Sequence, residues 1–502
     1  MPRRTRAASA RVSVNEPPAF IKRKLPFFEA LDEESLLKIE EQAYWLMENV
    51  GLEFRDDPLA LEHWRKAGAK VENTRVIADS QMIRELMKTI PPKFQQVARN
   101  PRRSVMIGEE NQVFAPIYGA PFCRDLKNGR RYGTMTDLEK LVKLTQSLDS
   151  LHHTGLVIVE PCDVPVSKRH LDMLYLHMRF TDKPGLGAIT EMERAQDSID
   201  MARILHGKQT FDNNCVIMGN VNTNSPLLVD RVVTQAIQTY CGNGQGIVVV
   251  PFILSGAMGP VTTAASIAQA VAEAMVCGAY TQIVRPGAPF VMGNFLSSMS
   301  LKSGAPTFGM PEPTISNYVI GQLARRLKVP LRCGGSLTAS KIADAQAASE
   351  SADSMHSTAL AGANFVLHSA GWLEGGLCTG FEKLVIDADR LGAYQKLLGG
   401  LDLSNNALGR SAYDDVEPAG HFLGSGHTMA NYTTAFYEPA LSDSENVESW
   451  EERGSLDMNQ RAFNRWNKLL SDYEAPHLDA SIDEELKDYV ARRKSELPDA
   501  WY

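Results

Sequence analysis

Between residues 111 and 385 the chain alternates short, nearly continuous apolar runs with amphipathic segments, and this alternation restricts the fold more than any other feature. The runs are 113–118, 155–160, 186–190, 216–222, 247–252, 289–294, 329–332 and 365–368, eight in all. A strand covered on both faces has no polar side, so such runs predict strands of a buried parallel sheet. Between them, residues 136–148 open on a Thr136/Glu139 capping-box pattern and set Leu138, Leu141, Val142 and Leu148 at helical spacing. Segments 197–205, 230–240, 264–279, 315–327 and 344–361 carry further helical patterns. Eight strand–helix units over about 250 residues predict an α/β fold of the (β/α)8 TIM-barrel type. The alternative is an open doubly wound sheet, but no glycine fingerprint follows the first strand.

The barrel, 111–385, is expected to stand between helical additions. Residues 1–25 read as a flexible basic tail and 26–110 as a helical extension, with Asp32 as an N-cap ahead of an apolar stripe at Leu36, Ile39, Ala43, Leu46 and Val50. Residues 386–502 read as a C-terminal helical region packed on the barrel through Trp466, Leu469, Leu470 and Tyr473, with a turn-rich glycine loop at 420–428.

Composition narrows the partners. A net charge of −8 and a pI near 5.8 leave no basic face for a phosphate backbone, so nucleic acid is excluded. Seven scattered cysteines without CxxC or Cys/His spacing predict reduced thiols in a cytoplasm, neither a disulfide frame nor a metal site. Runs such as 247–254 are too short to cross a bilayer, so no membrane is expected, and the N-terminus lacks the apolar core of a secretory signal.

In a barrel the chemistry sits where strands end. Those ends hold Tyr118, Glu160, Thr190, Asn220 with Asn222, Phe252, Asn294 with Phe295, Arg332 and His368, with Trp372 just beyond. Arg332, followed by Cys333-Gly334-Gly335, can present its fork to a carboxylate, or pair with a neighbouring acid. His368 closes the eighth run beside it, as a second cation or as a satisfied structural histidine. Tyr118, Phe252, Phe295 and Trp372 suit a quaternary ammonium, whose charge aromatic faces attract, or serve as core packing. Glu160 can balance such a ligand or be the partner of Arg332. Gly219-Asn220 and Gly293-Asn294 offer amides on a polar floor, or ordinary turns. No paired carboxylates, catalytic triad or metal cluster can be assembled, and no catalytic residue is assigned.

The segments RCGGSLTASKIADAQAASES (332–351), ALAGANFVLHSAGWLEGGL (359–377), LVIDAD (384–389) and AGHFLGSGHT (419–428) resemble the corrinoid-dependent trimethylamine methyltransferase family. The resemblance runs from about residue 30 to 490. All positions are standard amino acids, so the chain is similar to the branch without pyrrolysine, which includes glycine betaine:corrinoid methyltransferases. The resemblance implies transfer of an N-methyl group to the Co(I) cobamide of a small corrinoid protein, with no cofactor held permanently by this chain. In that setting Arg332, and His368 with it, would anchor a carboxylate. Tyr118, Phe295, Trp372, Glu160, Asn220 and Asn294 would complete the substrate pocket. Other donors (proline betaine, carnitine, γ-butyrobetaine, trimethylamine), a tetrahydrofolate acceptor, and a catalytically silent betaine- or corrinoid-binding module are the alternatives. A homo-oligomer is the general expectation for such barrels.

Overall fold

A computed structural model describes residues 18–501. Its centre is a parallel sheet whose seven strands run in the spatial order Gly185–Leu186, Ile217–Thr223, Gly246–Leu254, Phe290–Gly293, Leu331–Gly334, Phe365–Leu367 and Asn111–Phe114. The last strand in that order is the first in sequence, so the sheet curls back on itself. The remaining gap is spanned by residues 152–155, which lie just ahead of the expected second run and share only Gly155 with it. His152 N–H donates to Phe114 O (2.9 Å) on one side, while Thr154 N–H donates to Pro184 O and Gly155 O accepts from Leu186 N–H on the other (both 2.9 Å). The ring is thus a closed eight-segment barrel. The second segment stays irregular because His153 Nδ1 accepts the N–H of Gly155 (2.9 Å), a local bond that competes with the ladder.

The apolar runs are buried as the pattern requires: Ile247, Val248, Val249 and Val250 have no exposed surface. The seventh strand begins at Leu331, two residues later than the run suggests, because Pro330 has no N–H to give to a ladder. The helices that follow the strands are Met135–Ser147, Arg169–Phe180, Met192–His206, Arg231–Gly242, Thr263–Val284, Pro311–Leu327, Ala345–Ala361 and Phe381–Leu398. The first is capped by Thr134 and Asp137, not by Thr136 and Glu139. The two S/T-x-x-acid patterns overlap in the sequence, and Glu139 instead pairs with Lys143 one turn on.

Thr263–Val284 is long and apolar enough to cross a membrane, although its apolar residues are interrupted by small and polar ones and form no long continuous run. Here 89% of its apolar window is buried inside the fold, between the strand Gly246–Leu254 and helices Glu33–Trp45 and Ser80–Met87. The segment 26–110 is mixed where its pattern suggested helix alone. Helices Glu33–Trp45, Pro58–Ala67 and Ser80–Met87 alternate with strands that include Leu52–Phe54, Arg75–Ile77 and Val105–Gly108. Asp32 does cap the first of these helices, accepting from Ser35 N–H at 2.8 Å. Most of the expected flexible tail, residues 1–17, lies outside the described residues. The rest of it is ordered: Ile21–Lys22 pairs antiparallel with Asn111 and Gln112, and Arg23 is buried against the carbonyl of Ala359.

The C-terminal helices are fastened by buried polar contacts. Trp466 donates to Glu382 Oε1 (2.9 Å) and packs on Phe381, while Tyr473 donates to Phe180 O (2.6 Å). Helix Ala480–Glu496 is held at Asp197, which accepts from Tyr489 (2.8 Å), Arg493 Nε (2.6 Å) and His170 Nε2 (2.8 Å). Burial pushes the Asp197 carboxyl up, but the bonds from His170, Arg493 and Tyr489 outweigh it and leave its pKa below the usual value. Such a group stabilises the fold above its unfolded pKa of about 3.9, and that contribution is lost as pH falls through the lowered folded value. Asp197→Asn is therefore expected to cost about 1–3 kcal/mol at pH 7 by urea unfolding. The gap to the parent protein should close as the titration is repeated toward pH 3.

Candidate active site at the barrel mouth

The last residues of the strands bring an aromatic group together with one arginine. Phe252 and Phe295 pair in register and lie 5.2 Å apart between ring centroids. Phe295 stacks on His368 (5.5 Å, 27°), and Trp372 stands edge-on to both, at 5.8 Å from Phe295 and 4.5 Å from His368. Phe308, from the loop after the sixth strand, closes the far side of Trp372 at 5.7 Å. No periodicity marks Phe308, which is why the sequence did not single it out. The indole N–H of Trp372 is satisfied by Thr338 O (3.1 Å), so only its ring is offered to the site.

Arg332 lies inside this group, 1% exposed, with its guanidinium 5.1 Å from the centre of the Phe295 ring. Among the described residues its guanidinium makes one hydrogen bond, from Nη1 to Asn294 O (3.1 Å), and its Nε is buried with no partner. Among the described residues no carboxylate lies within 4.0 Å of it. Burial lowers its pKa to about 10, which still leaves it charged at neutral pH. A buried guanidinium without a counter-ion is costly, and that cost is removed when a ligand supplies the anion.

His368 is a neutral residue here, not the second cation. Burial first, and then the charge of Arg332, hold its pKa well below the ordinary value. Its Nδ1 accepts the backbone N–H of Tyr118 (3.2 Å), so the ring proton sits on Nε2. Its backbone adopts a left-handed conformation (φ 60°), a strain of about 1–3 kcal/mol of the kind that collects at functional sites.

The other candidates divide. Asn220 is buried and its Oδ1 has no hydrogen-bond partner, on a strand three places round the barrel from Arg332. Gly219 beside it faces outward, where a Cβ would meet the Tyr240 ring at 2.9 Å, so strand alternation turns Asn220 and Asn222 into the barrel. Asn294 uses its amide internally, donating to Asn317 Oδ1 (2.8 Å) and accepting from Leu296 N–H (3.1 Å). Glu160 pairs with Arg169 (2.8 Å) and not with Arg332, and burial raises its pKa against the pull of Arg169 and Arg194. Tyr118 lies near Glu160, and both burial and that charge raise its phenol pKa. Among the described residues no group of three metal-ligating side chains occurs.

A family model described as trimethylamine methyltransferase matches residues 2–498. The chain belongs to that family. Within it, the glycine betaine methyltransferase of Desulfitobacterium hafniense (strain Y51) is 35% identical over 474 residues, 94% of this chain and 98% of that one. A trimethylamine methyltransferase of D. hafniense (strain DSM 10664 / DCB-2) is 24% identical over 92% of this chain and 94% of its own. The proline betaine:corrinoid methyltransferase of Eubacterium limosum is 24% identical over 90% and 95% respectively. As a trimethylamine methyltransferase family member the chain is matched end to end, barrel and additions together.

Proposed function

We propose that this protein takes an N-methyl group from glycine betaine and passes it to a corrinoid protein docked over the barrel mouth. The observation that carries the reading is Arg332, buried, charged and without a counter-ion beside the Phe252, Phe295 and Trp372 rings. A betaine answers both features at once. Its carboxylate neutralises Arg332, and its quaternary ammonium lies against the half-buried rings of Phe252 and Phe295, each worth on the order of 0.5–2 kcal/mol. Trimethylamine has no anion and would leave Arg332 as it stands.

The chemistry asks little of the protein's own acids and bases. A cobamide brought by the corrinoid protein would supply the nucleophile as Co(I), and a quaternary ammonium that gives up its methyl leaves as a neutral amine that needs no proton. A neutral His368, and a mouth without a carboxylate pair among the described residues, suit that demand. The residues then act by position: Arg332 and the Nε2–H of His368 fix the carboxylate, the rings shed water, and Asn220 Oδ1 polarises the floor. The N–CH3 bond is left facing the opening. We further place the protein in the cytoplasm, where its seven unpaired cysteines stay reduced.

Calorimetric titration with glycine betaine, proline betaine, carnitine and trimethylamine tests the reading. Glycine betaine should bind and trimethylamine should not, and Phe295→Ala should weaken betaine about 2- to 30-fold. Binding of trimethylamine in place of the carboxylated amines would overturn it.

A further inference from the structure

Residues 402–436 form a segment that folds on itself and leaves its apolar side chains outside. Every hydrogen bond they make among the described residues stays within the segment, for instance Asn406 with Asn431 (2.7 Å) and His427 Nε2 with Asn406 O (2.7 Å). Leu408, Tyr413, Leu423, Met429, Tyr432 and Phe436 are 62–87% exposed. Scattered exposed hydrophobics are ordinary, but six large ones within 29 consecutive residues (408–436) constitute a patch of the kind that marks an interface.

The path of the chain says where this patch faces. Helix Phe381–Leu398 starts at the barrel mouth and descends to the opposite end, where Leu398 O accepts from Lys24 N–H (2.9 Å). The segment departs there and rejoins the helix half-way up, at Asp389, which accepts from Ala440 N–H (2.7 Å) and whose carbonyl accepts from Tyr437 (2.6 Å). It therefore stands off the flank of the barrel and not over the mouth, where a methyl acceptor must come. Next to its root opens a cleft of about 480 Å3 between helices Ala345–Ala361 and Phe381–Leu398, walled by Ala348, Ala352, Met355, Ile386 and Leu391. Arg390 borders the cleft and no carboxylate lies within 4.0 Å of it among the described residues, whereas the segment carries exposed Asp414, Asp415 and Glu417.

We propose that two copies of this chain exchange these features: the 402–436 segment of each copy packs its apolar side chains into the flank cleft of the other, with Asp414 and Asp415 facing Arg390. A projecting apolar segment and a matching cleft side by side on one chain are the self-complementary pair that a two-fold interface needs. One contact makes its reciprocal, and both apolar surfaces leave water together.

Light scattering on the eluting full-length protein tests this. The parent protein should run at an even multiple of 55.3 kDa at micromolar concentration, and Leu423→Asp/Phe436→Asp should run at half the parent's mass. Because that double variant could disturb the segment itself, a charge swap decides independently. Arg390→Glu should lower the mass, and adding Asp414→Lys and Asp415→Lys should restore it. A parent protein of one subunit or an odd multiple, or an Arg390→Glu variant of unchanged mass, would overturn the proposal.

Discussion

Arg332→Leu is expected to weaken glycine betaine binding about 10- to 150-fold by calorimetry, the loss of about 1.5–3 kcal/mol that a hydrogen bond to a charged group contributes. The same substitution should leave the ligand-free protein as stable as before or more so. The two effects have opposite signs for one reason: without ligand the guanidinium is a buried charge with one hydrogen bond, to Asn294 O, and an unpartnered Nε. A leucine in its place removes a desolvation cost and forfeits little. Arg332→Lys should rescue binding only in part, because an ammonium cannot present two parallel N–H groups to a carboxylate. The pH dependence follows from the lowered pKa of about 10: the cationic form prevails below that value, so affinity should hold through neutrality and fade as pH rises through it. Unchanged betaine affinity in Arg332→Leu would remove Arg332 from the site.

The barrel was legible because burial on both faces writes a continuous apolar run: seven of the eight runs overlap barrel strands, and the second meets the ring only at Gly155. What the runs could not convey was hydrogen bonding. The second run looks like its neighbours, yet the N–H of Gly155 is bonded to the ring of His153 and not to a ladder. At the mouth, residue type at a strand end singled out Arg332, His368, Phe295 and Trp372 as candidates, and the structure brings those four side chains together. It was not enough to tell which polar groups were already spoken for. Asn220 and Asn294 occupy equivalent Gly-Asn positions, and only the structure separates the unpartnered Oδ1 of the first from the fully engaged amide of the second. Likewise Glu160 finds Arg169 one helix away, a partner nine residues off whose side chain the sequence pattern cannot orient. Charge state escaped for the same reason: the neutrality of His368 depends on its depth and on its distance from Arg332, neither of which is encoded in spacing.

Asp387→Leu is expected to destabilise the protein by about 3–5 kcal/mol, the cost of leaving a buried charge without its partner. Asp387 and Lys383 form a buried ion pair one turn apart, with Nζ 2.5 and 2.6 Å from the two carboxylate oxygens. Removing the acid strands an ammonium that keeps only Ser351 Oγ, at 2.9 Å. The pair also reaches the mouth. Asp387 Oδ2 accepts the N–H of Gly371 (2.9 Å), the residue before Trp372, so the carboxylate sets the turn that aims the indole at His368 and Phe295. Lys383→Met should be less harmful than Asp387→Leu. It leaves a carboxylate that can take up a proton, since burial already raises the Asp387 pKa against the pull of Lys383 and the Gly371 N–H. The double variant Lys383→Met/Asp387→Leu should recover most of the stability but not all. Its remainder, about 1–3 kcal/mol, measures the Gly371 N–H left without an acceptor. Betaine affinity in the double variant then separates the two duties. If it recovers fully with stability, Asp387 serves the fold alone. If it stays weakened in a protein that unfolds nearly as late as the parent, the carboxylate also positions Trp372, acting on the ligand from one helix behind the pocket wall.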